Sequence, residues 1–279
     1  MNDSPPPGGE TVSGTAPPAA ETTTDSPGRA IAAALGLGLG GPAIALLSSL
    51  GIALLSLVVE LSLGVTLALG LFFGQYVAFA GLAIAYLRYR GLEWADVRSY
   101  LGVRFPSLKE FGLVIGGWIV IFALILIIST IIQAIGTQPA ENQTAVLAGE
   151  NPDIILPLIL AMFLVVGPCE EILYRGVVQG RLRESLPAIP SIIIASAIFA
   201  VVHVMALTGG AGAMALTVSI LFVPSLVFGA IYEYTGNIVV PALLHGVHNS
   251  VLLGLLYITI AYGDELGEMA GQAALVVPF

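Results

Sequence analysis

Apolar residues run along this chain in stretches of membrane-spanning length, separated by short polar connections. From Arg29 onward the stretches lie at roughly 30–58, 61–87, 110–136, 153–180, 188–208, 214–233 and 238–262. A helix needs about 20 residues to cross the hydrocarbon core. The first stretch is rich in Gly and contains Pro42, so it reads as one bent helix or two short ones, which makes the count seven or eight. Between the second and third stretches, Leu92–Leu108 is amphipathic and carries Trp94, the pattern of a helix lying at the membrane interface. The predicted fold class is therefore all-α, a polytopic transmembrane helix bundle.

Composition agrees. Of 279 residues, 57% are hydrophobic and 10% charged, against about 25% charged in soluble domains. Mean hydropathy is +0.97. Nine Lys and Arg form no basic patch, so nucleic acid is not an expected partner. Residues 1–28 are rich in Pro, Gly, Ser and Thr and read as a disordered tail. Cys169 is the single cysteine, which excludes an internal disulfide.

Basic residues give an orientation. Arg88, Arg90, Arg98, Arg104 and Lys109 fall in one connection, and Arg181 and Arg183 in another. The 137–152 connection carries Glu141 and Glu150 and no Lys or Arg. The first two are expected in the cytoplasm and the third outside. Alternation then puts the N-terminus inside a multi-pass cell-membrane protein.

Few strongly polar residues fall within the spans. Glu60 stands at a boundary, and Glu170, Glu171, Arg175, His203, His245, His248 and Asn249 lie inside. A charge in hydrocarbon is costly and marks a functional position by default. Glu171 and Arg175 are four residues apart, share a helix face and are expected to pair. Glu170 is turned about 100° away, with no cation of its own nearby in sequence. Phe199 with His203, and His245 with Asn249, are also four apart. Counted from the turn near Pro187, Glu170 and His203 lie at matching depth, about 25 Å along their helices. His245 follows the 235–237 turn by about nine residues, about 13 Å, which puts the meeting point in the cytoplasmic half of the bilayer. Removed from bulk water, a carboxylate suits a general base, one that takes a proton from water. A neutral His and the Asn249 amide would stabilise an oxyanion. Together these groups read as a hydrolase acting at the membrane.

Three motifs carry a resemblance. Glu170-Glu171-Ile172-Leu173-Tyr174-Arg175 fits EExxxR, Phe199–His203 fits FxxxH, and His245–Asn249 fits HxxxN. In this order, on late membrane helices, they resemble the CPBP (Abi) family, which includes CAAX prenyl endopeptidases. The resemblance implies an intramembrane glutamic endopeptidase engaged in CAAX processing, with a membrane-bound protein or peptide as substrate and the lipid bilayer as its setting. It implies Glu170 as the residue that activates water, His203 assisting, and His245 with Asn249 as the oxyanion hole. Glu171, Arg175, Phe199 and His248 would be supporting. It needs no cofactor; a zinc-dependent variant would use Glu170, His203 and His245. The expected organisation is a tail at 1–28, N-terminal spans with the interfacial segment at 29–109, a CPBP-like catalytic membrane domain at 110–262, and a C-terminal tail at 263–279.

Other readings stand beside this one. Glu171 and Arg175 also read as an ion pair that holds helices together. Intramembrane Glu, Arg and His are equally the parts of a proton-coupled transporter, although the first three spans are almost free of charge. A non-catalytic membrane scaffold would retain the same fold. Zinc proteases with HExxH are excluded, because that motif does not occur.

Overall fold

The computed structural model describes residues 26–270, with side chains as far as 263. Seven helices are long and apolar enough to cross a membrane. They are α1 (Pro27–Ser56), α2 (Leu63–Tyr89), α4 (Leu108–Ile135), α6 (Pro152–Arg183), α7 (Ala188–Ala206), α8 (Ala211–Thr235) and α9, which crosses over Val239–Gly263 and continues helical to Ala270. Short helices α3 (Trp94–Tyr100) and α5 (Gln143–Glu150) occupy two of the connections. The tail expected at 1–28 lies outside the described residues as far as 25, and the one expected at 263–279 lies outside them from 271.

Local chemistry sets the ends. The Ser107 hydroxyl accepts from Glu110 N, while the Glu110 carboxylate accepts from Ser107 N. This reciprocal cap satisfies two amides that α4 would leave unpaired. Gly136 and Gly236 stop α4 and α8 in the left-handed conformation that glycine adopts without penalty. Outside the helices, Glu141–Asn142 pairs antiparallel with Leu207–Thr208 and ties the α4–α5 connection to the end of α7.

The first stretch proves to be one helix of 30 residues. Pro42 has no N–H to offer the carbonyl of Gly38, four residues earlier. The Tyr174 hydroxyl donates to that carbonyl at 3.1 Å. A neighbouring helix thus replaces the missing bond, which is how prolines are tolerated inside membrane helices.

Three helices contain π-helical or tightened turns. Phe72–Gly81 of α2 is π-helical, as are Met162–Val166 and Ile172–Gln179 of α6. The two stretches in α6 flank Gly167–Glu171. Helix α7 ends in a 3-10 turn that begins at His203. Single π turns recur at functional sites because they re-aim side chains.

The principal core joins α1, α2, α3, α6 and α7 through Leu37, Phe79, Val97, Leu173, Tyr174 and Phe199. Helices α6 and α9 meet closely where both carry glycine. A Cβ on Gly167 would lie 2.9 Å from Ala242 O, and one on Gly246 would lie 2.9 Å from Phe163 Cα. Small residues at such crossings let backbones approach, and here they bring the face of His245 against that of Glu171.

The interfacial segment docks through its backbone. Gly102 has φ +64°, and a Cβ there would lie 1.7 Å from Gly236 O. Ile238 N donates to Leu101 O at 3.2 Å, which links the end of α3 to the α8–α9 turn. Gly102→Ala is expected to lower stability by at least about 2 kcal/mol, read as a fall in thermal midpoint in detergent. An unchanged midpoint would mean that this docking is dispensable.

Candidate active site

The polar residues of α6 and α9 form one buried group. Arg175 Nη1 donates to Glu171 Oε1 at 2.8 Å, and both side chains are buried. The i,i+4 pair expected from sequence is present even though the intervening turns are π-helical. Arg175 Nη2 donates to Ser225 Oγ at 2.8 Å and to Ser225 O at 3.2 Å on α8. The guanidinium also lies over the rings of Phe199 and Phe228, at 4.4 and 5.2 Å from their centroids. This cation is therefore partnered along its edge and over its faces, which offsets the cost of burying it.

His245 completes the group. Its Nδ1 lies 2.8 Å from Glu171 Oε1, the oxygen that Arg175 also uses. A carboxylate only accepts, so Nδ1 carries the proton. The ring is stacked on Phe228 at 4.9 Å and meets Phe199 edge-on at 5.8 Å. These contacts fix its plane. They also correct one chemical expectation. A neutral His245 with its proton on Nδ1 presents a lone pair at Nε2 and cannot donate to an oxyanion. Donation from Nε2 requires the imidazolium.

Glu170 is buried, and its two oxygens have different neighbours. Gln75 Nε2 of α2 donates to Oε1 at 3.3 Å. Oε2 lies 4.0 Å from His245 Nε2, beyond a direct hydrogen bond. The two adjacent glutamates thus have separate surroundings: Glu171 is held by Arg175 and His245, while Glu170 meets a neutral amide on one oxygen and an imidazole edge across a gap from the other.

The depth relation between α6 and α7 holds. Tyr174 meets Phe199 edge-on at 5.0 Å. One turn along each antiparallel helix from that contact stand Glu170 and His203. Yet His203 is turned toward its own helix. Its Nδ1 donates to Phe199 O at 2.6 Å, and its ring lies 4.5 Å from that of Phe199. The carbonyl only accepts, so Nδ1 carries the proton and Nε2 of a neutral ring is an acceptor. Phe199 is therefore the residue that joins His203 to His245, by contacts to both rings.

Asn249 follows His245 by one turn of α9. Its Nδ2 has a weak contact of 3.8 Å with Met162 Sδ. His248 is buried beside Phe228, with ring centroids 6.3 Å apart. Cys169 is buried next to Glu170. The three side chains named for zinc are not gathered. Among the described residues no group of three or more His, Cys, Asp or Glu is placed to hold a metal ion. His203 and His245 each commit Nδ1 to another partner, which leaves Nε2 of each ring as its open nitrogen.

Sequence reasoning missed Gln75, Ser225 and Phe228. Gln75 had a signal, an amide inside an apolar span, but carries no charge. Ser225 and Phe228 had none, since serine and phenylalanine occur throughout such helices.

Residues 152–251 match the family described as Type II CAAX prenyl endopeptidase Rce1-like. The matched segment runs from the start of α6 into α9 and contains all three motifs. The match supports a CAAX protease-like family for this chain, and with seven apolar helices it supports an intramembrane peptidase. No curated protein and no solved structure matches the chain.

Proposed function

Starting from a CAAX protease-like chain, we propose an endopeptidase that hydrolyses a peptide bond of a membrane-associated CAAX-type substrate with water activated by Glu170. One observation carries this reading. A buried carboxylate, Glu170, lies 4.0 Å from an imidazole nitrogen whose ring is oriented by Glu171 and Phe228. A water hydrogen-bonded at about 2.8 Å to each group fits across that separation.

In this mechanism Glu170 removes a proton from the water as its oxygen attacks the scissile carbonyl. The carbonyl oxygen becomes an oxyanion, stabilised by His245 Nε2–H of the imidazolium and by the Asn249 Nδ2 amide. His203, whose Nε2 is left open by the Nδ1 bond to Phe199 O, assists Glu170. The tetrahedral intermediate then collapses, the C–N bond breaks, and Glu170 returns its proton to the leaving amine. Glu171 holds His245 through Nδ1, and Arg175 holds Glu171. Phe199 walls the site and Phe228 backs the imidazole.

The membrane orientation follows the same reading, with the N-terminus and the site's nearer face in the cytoplasm. The ion pairs Arg90–Glu184 and Arg183–Glu233 gather basic connections at one end of the bundle, which supports it.

The test is cleavage in proteoliposomes of a lipid-anchored peptide with a C-terminal CAAX sequence. The purified chain is expected to cut it, and 1,10-phenanthroline is expected to leave the rate unchanged. Asn249→Ala should lower kcat by about 10²–10³-fold. Absence of cleavage by the wild-type chain refutes the function. Chelator inhibition rescued by Zn²⁺ would replace the glutamate mechanism with a metal one.

A further inference from the structure

The geometry points to Gln75 of α2 as a positioning residue of this site, one that holds Glu170 by a single oxygen. The inference rests on the reading of Glu170 as the base. Gln75 lies 77 positions before the first residue of the family match at 152, so that match assigns it nothing.

Three observations converge. Gln75 Nε2 donates to Glu170 Oε1 at 3.3 Å, across 95 residues of sequence. The same helices meet again four residues further on, where the Phe79 and Tyr174 rings lie 6.0 Å apart. Both Phe79 and Tyr174 are buried in the main core. The register of α2 against α6 is therefore fixed by packing, and the amide is carried to the carboxylate by that register. Finally, Gln75 Oε1 is buried with no hydrogen-bond partner among the described residues. A glutamine whose task is to join helices would use its carbonyl too, because an unsatisfied buried acceptor costs about 1–3 kcal/mol. This one uses only its N–H, and directs it at Glu170.

The consequence is orientation. A carboxylate rotates about its terminal bond unless something grips it. With Oε1 held by Gln75, Oε2 is left facing His245 Nε2. That is the oxygen which takes the proton from water. The π-helical winding of Phe72–Gly81 belongs to the same device, since it sets which way Gln75 points.

Two variants and two readouts test this. Gln75→Leu removes the donor. Its kcat on the CAAX-type peptide is expected to fall about 10–100-fold, the loss of one hydrogen bond to a charged group, with KM within about twofold and the thermal midpoint retained. Gln75→Glu keeps the shape and donates only while the pair of carboxyl groups shares a proton. It should retain activity at acid pH and show a new loss on the alkaline side. The second readout needs no turnover. The infrared carboxyl band of Glu170, identified by its disappearance in Glu170→Gln, should titrate at a different pH in Gln75→Leu than in wild type. An unchanged kcat in Gln75→Leu, or an unmoved Glu170 band, overturns the inference. If Glu170→Gln cuts as fast as wild type, the assignment of the base fails instead, and a shifted band would still establish the grip of Gln75 on Glu170.

Discussion

Glu170→Gln is expected to lower kcat for a membrane-anchored peptide by about 10²–10⁴-fold, the usual contribution of a positioned general base. The substitution is nearly isosteric. It removes the proton acceptor and leaves the buried volume filled, so the thermal midpoint should stay close to that of wild type. The amide introduced there would even retain an oxygen for Gln75 Nε2 to bind, which keeps the α2–α6 register intact. The informative comparison is with Glu171→Gln. Glu171 accepts from Arg175 and from His245 through one oxygen, and both partners are buried. Its loss should lower both activity and stability, whereas loss of Glu170 should lower activity alone. Equal rates for wild type and Glu170→Gln would remove Glu170 from the chemistry.

Arg175→Leu should be the most destabilising single change in the bundle. Arg175 is 1% exposed and makes an ion pair with Glu171, two hydrogen bonds to Ser225 and contacts with two aromatic faces. Its removal leaves the Glu171 carboxylate buried with His245 as its remaining partner, and breaking a buried pair on one side costs about 3–5 kcal/mol. The double variant Arg175→Leu with Glu171→Leu carries no stranded charge and should recover part of that loss. Activity should not return with stability, because His245 then lacks the carboxylate that orients its ring. Thermal unfolding in detergent and peptide cleavage, measured on the same preparations, separate the two effects. A double variant no more stable than the single one would show that the charge is not what the single change exposes.

Much of this protein is legible from its one-dimensional pattern. In a bilayer every spanning backbone must satisfy its own hydrogen bonds, so a long apolar stretch becomes a helix almost irrespective of its neighbours. The seven stretches accordingly match the seven helices to within a few residues at each end. Helical periodicity also brought out the Glu171–Arg175 pair, and counting from a turn gave the common depth of Glu170 and His203, because both are local or nearly rigid properties.

What lies between helices was decided only in three dimensions. Pro42 leaves one bent helix or two short ones open; the helix is continuous, and Tyr174, 132 positions away, supplies a hydroxyl to Gly38 O. His203 has the expected depth, yet its Nδ1 turns to Phe199 O, since a 3-10 turn ends the helix at that residue. His245 has the expected partner helix but bonds to Glu171, and this fixes its tautomer, which no spacing rule can assign. Gln75 enters the site because a π-helical stretch and the Phe79–Tyr174 contact set the rotation of α2 against α6. Sequence by itself determined where the chain crosses the membrane and which charges it carries there, because the bilayer acts on each helix separately. The tertiary structure alone decided which atom of each charge faces which partner, because helix rotation and contact are set by packing between segments far apart in the chain.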